Sequence, residues 1–212
     1  MVDSYHAMRF PYVRVGDHSR NTQVAAVLHV TETIVTAQLK NKVCAAADTI
    51  GVQAHKGCGT TIKHFALNNQ EDNRTHSNSH FSERALREIY LKGFEIAVKY
   101  SNPASLMTSY NLINGVHAAN NKELLTDVLR GEWGFQGLVM TDWGTTDPAD
   151  QPFKYGSSDP ALCIKAGNDL TMPGSQRDVD RVLEALSKQE ITLAQLQACA
   201  GRVLAAVLFG QV

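Results

Sequence analysis

Four short stretches of the chain are apolar or β-branched within and polar at their ends. They are "TTIKHFA" at 60–66, "SLMTSYN" at 105–111, "GLVMTDW" at 137–143 and "NDLTM" at 168–172. Such runs predict β-strands. Between and after them the apolar residues recur at helical spacing. Leu86, Ile89, Tyr90, Phe94 and Val98 do so in "ERALREIYLKGFEIAVKY", with Ser82 placed to cap the first turn. Asn121 stands as a second cap before "KELLTDVLRGEW". Val179, Val182, Leu183 and Leu186 fall on one face of "QRDVDRVLEALSK". The last run, "LQACAGRVLAAVLFG", follows Thr192 and Gln195 at capping-box spacing, and Gly210 marks its end.

Strand, helix, strand, helix is the order of parallel strands joined by helical crossovers. Tyr110 to Asp142 is 32 residues and Asp142 to Leu170 is 28, close to the repeat of roughly 30 in an eightfold barrel. The step from Lys63 to Tyr110 is longer because "LNNQEDNRTHSNSHF" is inserted after the first strand. A loop of that length usually carries function. The expected fold is therefore α/β, a parallel (β/α) barrel, TIM-barrel-like, and truncated or incomplete, since only four strands are evident. Residues 1–40 show no clear period and are read as a divergent leader; residues 41–212 are the barrel portion. Within the leader, "VAAVLHVTETIVTAQL" reads either as a strand plus a helix start or as one helix. An open parallel sheet exposes two unpaired edges, which predicts a homodimer that completes the barrel.

Composition excludes several classes of function. The 212 residues carry a formal net charge of -1, which gives no electrostatic case for nucleic acid or an anionic membrane. The four cysteines, Cys44, Cys58, Cys163 and Cys199, form no CxxC pair, so no metal site is expected and buried free thiols are the default. "MVDSYHAMRF" lacks a charged segment followed by an apolar one, and no apolar run is long enough to span a bilayer. A cytoplasmic location is the default, with a secreted or periplasmic parent protein as the alternative.

In a parallel barrel the chemistry gathers at the carboxyl ends of the strands. Those ends present Lys63–His64, Tyr110–Asn111 and Asp142–Trp143. A carboxylate beside an indole suits a sugar, whose C–H faces stack on aromatic rings while its hydroxyls need charged or amide partners. Asn68, Asn69, Gln70, Glu71 and Arg74 enrich the adjoining loop in such partners. No phosphate-cradling glycine loop and no GxSxG elbow is present. Each residue also has a plain structural reading: Lys63–His64 as a satisfied pair, Asp142 as a loop cap, Asp169 as a partner for turn backbone. His76 and His80 lack a third metal ligand, and Trp133 and Phe135 are read as core.

Three segments, "TIKHFALNNQEDNR", "LMTSYNLINGVHAANNKELLTDVLRGEWGFQGLVMTDWG" and "AGNDLTMPG", together resemble glycoside hydrolase family 3 in its β-glucosidase branch, from about Val43 to Leu208. The resemblance implies a retaining β-glucosidase that hydrolyses terminal β-glucosyl residues of a β-glucoside or oligosaccharide without a cofactor. Asp142, in the family's S/T-D-W motif, would be the nucleophile. Lys63 and His64 would hold sugar hydroxyls, Arg74 and Tyr110 would lie at subsite positions, and Trp143 would flank the sugar. The family's acid/base glutamate usually lies in a second domain after the barrel, and its GRNFE-like segment lies upstream of KHF. Neither has a match here, which leaves Glu71 as the nearest acid/base candidate within the chain. A sugar-binding, catalytically weak or inactive fragment is the alternative.

Overall fold

The computed structural model describes residues 38–147 and 152–210. Four parallel strands form the central sheet in the order β1–β3–β6–β7: β1 Thr61–Phe65, β3 Ser105–Thr108, β6 Leu138–Trp143 and β7 Leu170–Met172. All four lie inside the expected stretches, and each is shorter. Tyr110 and Asn111 consequently sit beyond the end of β3, on the turn that leaves it. Most of the expected leader lies outside the described residues; the helix α1, Gln38–Gln53, begins at its end.

Helices cover the sheet. The predicted helix after Ser82 is present in three pieces: α2 Glu83–Ala85, a wide-turn π segment Leu86–Tyr90, and α3 Lys92–Ser101. Ser82 Oγ accepts the Ala85 N–H as the sequence suggests. Asn121 likewise caps the π-helical Glu123–Glu132 by accepting the Leu124 N–H at 3.0 Å. Phe65 lies at the centre of the core, fully buried, with Phe94 and Trp133 edge-on to its ring at 4.9 and 6.0 Å. Leu106 and Val139 on the neighbouring strands and Leu125 and Leu129 on the π segment complete the same cluster.

The C-terminal third contains α4 Pro160–Ala166, α5 Gln176–Ser187 and α6 Leu193–Phe209, the last with the predicted Thr192/Gln195 capping box. The apolar stripe of α5 is wider than its contact. Val182 and Leu186 pack on Ala161, Ala185 and Ile191, whereas Val179 and Leu183 are 51% and 57% exposed, contrary to a fully core-facing stripe. The thiols also divide. Cys163 and Cys199 are buried, and burial pushes both up to about 12, but Cys44 is exposed and Cys58 half-buried.

The sequence reading did not single out helices α1 and α4, nor a second sheet. Strands β2 Asn78–Ser79, β4 Leu112–Ile113 and β5 Val116–His117 form a second small sheet, with β4 and β5 joined through Asn114–Gly115. Both turn residues have positive φ, as a tight hairpin turn requires. The sheet ties the long insert to the segment after β3: Leu112 N–H donates to the Ser77 carbonyl and Gly115 N–H to Asn78 Oδ1. The insert is thus fixed near its carboxyl end by strand pairing. Among the described residues, no helix is long and apolar enough to cross a membrane.

Candidate active site

The sheet loses its regular register at two places. Between Ile62 and Phe65, two residues of β1 oppose one of β3, and the surplus falls on Lys63–His64. Between Met140 and Trp143, two residues of β6 oppose one of β7, and the surplus falls on Thr141–Asp142. A bulge re-aims side chains that a regular ladder would fix. Both bulges lie at the carboxyl end of the sheet, and they turn His64 and Asp142 toward each other.

The Asp142 carboxylate is the centre of the resulting group. The residue is 7% exposed, and both oxygens are engaged: Oδ1 accepts the Trp143 N–H at 2.7 Å, and Oδ2 faces His64 Nε2 at 3.3 Å. A buried carboxylate without such partners is strongly disfavoured. Behind it, Tyr110 donates its hydroxyl to the Trp143 carbonyl at 2.7 Å. Burial first, and the neighbouring Asp142 charge second, raise the Tyr110 phenol, with Arg74 opposing, so it keeps its proton as a donor. The Arg74 guanidinium lies over the Tyr110 ring at 4.8 Å and pairs with Glu71. Phe153 packs against Tyr110 in a tilted arrangement, with ring centroids 5.8 Å apart. Trp143 itself is 58% exposed, next in sequence to the buried carboxylate.

Sequence expectations divide accordingly. His64, Asp142, Tyr110, Trp143, Arg74 and Glu71 form one connected group. Lys63 adjoins it at the β1 bulge, and no described side chain pairs with its ammonium. Glu71 is at the exposed rim, its side chain 69% accessible and held by Arg74. Asn68, Asn69 and Gln70 are not among the described partners of this group. With Asp72, Phe81 and Tyr90 they border a separate hollow of about 400 Å³ that Lys63, His64 and Asp142 do not line. Asp169 is a structural residue: its side chain is inaccessible and held by Arg130 and Arg202 at 2.8 Å each and by the Val139 N–H at 2.9 Å. His76 and His80 are exposed, and no described group of three His, Cys, Asp or Glu side chains is placed to hold a metal.

A carboxylate, an imidazole, a phenol and an indole are thus gathered at the carboxyl end of a parallel α/β sheet, where a barrel-type fold places its functional groups. The model of the "Glycosyl hydrolase family 3 N terminal domain" matches residues 7–206, and this chain belongs to that family. Its sequence is 48% identical over 156 residues to Beta-glucosidase B of Emericella nidulans, covering 73% of this chain and 17% of that protein. It is 50% identical over 150 residues to the Exo-alpha-(1->6)-L-arabinopyranosidase of Bifidobacterium breve, covering 71% of this chain and 18% of that one. The structure superposes on beta-glucosidase 3B from Thermotoga neapolitana in complex with glucose with a TM-score of 0.74 at 39% identity, covering 85% of this chain and 25% of that chain. The chain therefore spans less than a fifth of the length of these two curated relatives.

Proposed function

We propose that this chain supplies the nucleophile side of a retaining β-glycosidase site, acting on terminal β-glucosyl residues. The observation that carries the reading is the Asp142 carboxylate, buried at the end of β6 with both oxygens oriented, beside an exposed indole. Asp142 Oδ2 attacks the anomeric carbon as the bond to the aglycone oxygen breaks, giving a glycosyl ester. A carboxylic acid protonates the departing oxygen, then deprotonates the water that cleaves the ester. Lys63 and His64 hold hydroxyls of the same sugar ring, Arg74 and Tyr110 shape its subsite, and Trp143 stacks against it.

Retaining pairs of carboxyl groups stand about 5–5.5 Å apart. No carboxyl group is among the described partners of Asp142, and Glu71 serves as the counter-ion of Arg74. We therefore assign proton donation to a group outside the described residues. Strands β1 and β7 each have one strand neighbour among the described residues, and a second copy that covers those edges is one source of that group. Sedimentation of a compact monomer at micromolar concentration would remove that source.

The sugar is read as glucose because glucosidases recur among the relatives, but a pyranosidase of a pentose is equally similar. The test uses a 2-deoxy-2-fluoro β-glucoside and aryl β-glucoside and α-L-arabinopyranoside substrates. Wild type should acquire one covalent label at Asp142, and Asp142→Asn none. Equal hydrolysis by mutant and wild type would sink the assignment. Sugar-induced thermal stabilisation without label or turnover favours the alternative of a binding fragment, in keeping with the absence of a carboxyl group among the described partners of Asp142.

A further inference from the structure

The bulge at Thr141–Asp142 has a cost for catalysis. A strand residue in regular register has its direction set by the ladder on both sides, whereas Asp142 is at the break. Its orientation must be held from elsewhere, and the turn that follows it is held at three points. Thr145 Oγ1 donates to the Asp142 carbonyl at 2.8 Å, and the Gly144 N–H donates to the Met172 carbonyl at 2.8 Å. The third point comes from α5: Thr146 Oγ1 donates to Asp178 Oδ2 at 3.0 Å, with both residues buried.

Asp178 is placed unusually for a helix-cap residue. It stands three residues after the N-cap Ser175, where an acidic or amide side chain ordinarily turns back to the cap's own N–H. Ser175 Oγ accepts the Asp178 N–H at 3.2 Å, but the return bond is not made. The carboxylate reaches instead to the turn after Asp142, and its Oδ1 has no hydrogen-bond partner in the described structure. A carboxylate with one free oxygen is tolerated at 5% exposure because the helix amino terminus favours negative charge. Beside it, Arg177 pairs with Asp147 at 3.3 Å, so two successive residues of α5 grip two successive residues of the turn.

We infer that Asp178 is a positioning residue for Asp142. Through Thr146 it fixes the turn at 144–146, and through Thr145 and the main chain it sets the direction in which the Asp142 carboxylate leaves β6. Asp178 touches no substrate, and the inference rests on the proposed reading of Asp142 as the nucleophile.

Two readouts on the full chain test it: the rate of covalent labelling by the 2-fluoro glucoside, and amide hydrogen exchange at 143–146. Asp178→Ala should slow labelling about tenfold or more, the effect of one hydrogen bond to a charged group on a barrier. Its glucose affinity should stay within about twofold, because the sugar's partners are untouched. Thr146→Val should reproduce the loss, the double variant should add little to it, and Asp178→Asn, which keeps an acceptor, should recover most of the rate. Exchange at 143–146 should rise in Asp178→Ala above that in Ala185→Gly, a destabilised variant of the same helix. Slower labelling in both Asp178→Ala and Ala185→Gly, in proportion to lost stability, would overturn the inference. If wild type takes no label, the reading of Asp142 fails separately. Exchange then decides the positioning contact: a selective rise at 143–146 supports it, and no rise overturns it.

Discussion

Replacing Asp169 by alanine should be among the most damaging single changes in this fold, and it should damage stability ahead of chemistry. The carboxylate joins three elements: Arg130 from the π segment, Arg202 from α6 and the Val139 N–H of β6. Arg130 also donates to the Gly137 and Gly167 carbonyls at 3.1 Å each, so the charge it brings braces the chain just before both β6 and β7, at the amino end of the sheet. Removing one member of a buried ion pair costs about 3–5 kcal/mol, because the other charge stays behind. Two guanidiniums would be left here, with side chains 14% and 25% exposed, and that partial access to water places the electrostatic loss toward the lower figure. The orphaned Val139 N–H adds about 1 kcal/mol or more, not strictly additively.

The expected total is about 4 kcal/mol, or a fall in Tm of roughly 8–16 °C for a chain of this size. Asp169→Asn keeps one acceptor and should lose about half as much. Urea unfolding followed by tryptophan fluorescence is a suitable assay, since Trp133 is buried in the core and reports on its loss. The denaturation midpoint should drop with an unchanged slope. A loss below about 1 kcal/mol combined with abolished turnover would refute the reasoning and move Asp169 into the chemistry.

Lys63→Ala or His64→Ala should weaken sugar binding or turnover by about 1–3 kcal/mol, the range for a lost hydrogen bond to a charged or polar group. Unchanged kinetic constants with a lowered Tm in both would mark the pair as structural. His117, behind the Phe153 ring, is lowered from its ordinary 6.5 by burial, which outweighs the Gly156 and Tyr110 backbone. Its folded value lies below its unfolded one, so the unfolded state binds the proton first. The stability this group contributes is present above pH 6.5 and is lost as pH falls toward the folded value. Tm should therefore fall more steeply from pH 7.5 to 5 in wild type than in His117→Gln; parallel curves would contradict that account.

The strands were legible because each pairs an apolar run with a polar end, and the helix caps because Ser82, Asn121 and Thr192 each precede a periodic stretch. The Asn114–Gly115 hairpin was legible in principle, as "LINGVH" contains the strongest short hairpin signal. It went unread because β4 and β5 have only two residues each, too few to show alternation. The two bulges were not legible at all. Register is a property of two paired strands, and neither "IKHF" nor "MTDW" carries a local sign of a surplus residue. The role of Asp169 was also beyond local reading, since its arginines lie 39 residues before it and 33 after it.

The division of labour between sheet and loop follows from these facts. A regular parallel ladder holds residues well but directs alternate side chains to opposite faces, so it cannot by itself bring neighbouring functional groups onto one centre. The bulges in β1 and β6 release Lys63–His64 and Asp142 from that alternation and give up some rigidity. The lost rigidity is returned by contacts distant in sequence. Tyr110 ties the Trp143 carbonyl to the turn after β3, Arg74 ties the insert to Tyr110, and the small sheet ties the insert to β4. Glu71 lies at the outer end of this line, as the charge that holds Arg74 over the ring. The long insert after β1 is thus a brace from the exposed rim to the buried carboxylate, which explains why it is dense in polar groups yet pinned near its carboxyl end by a strand.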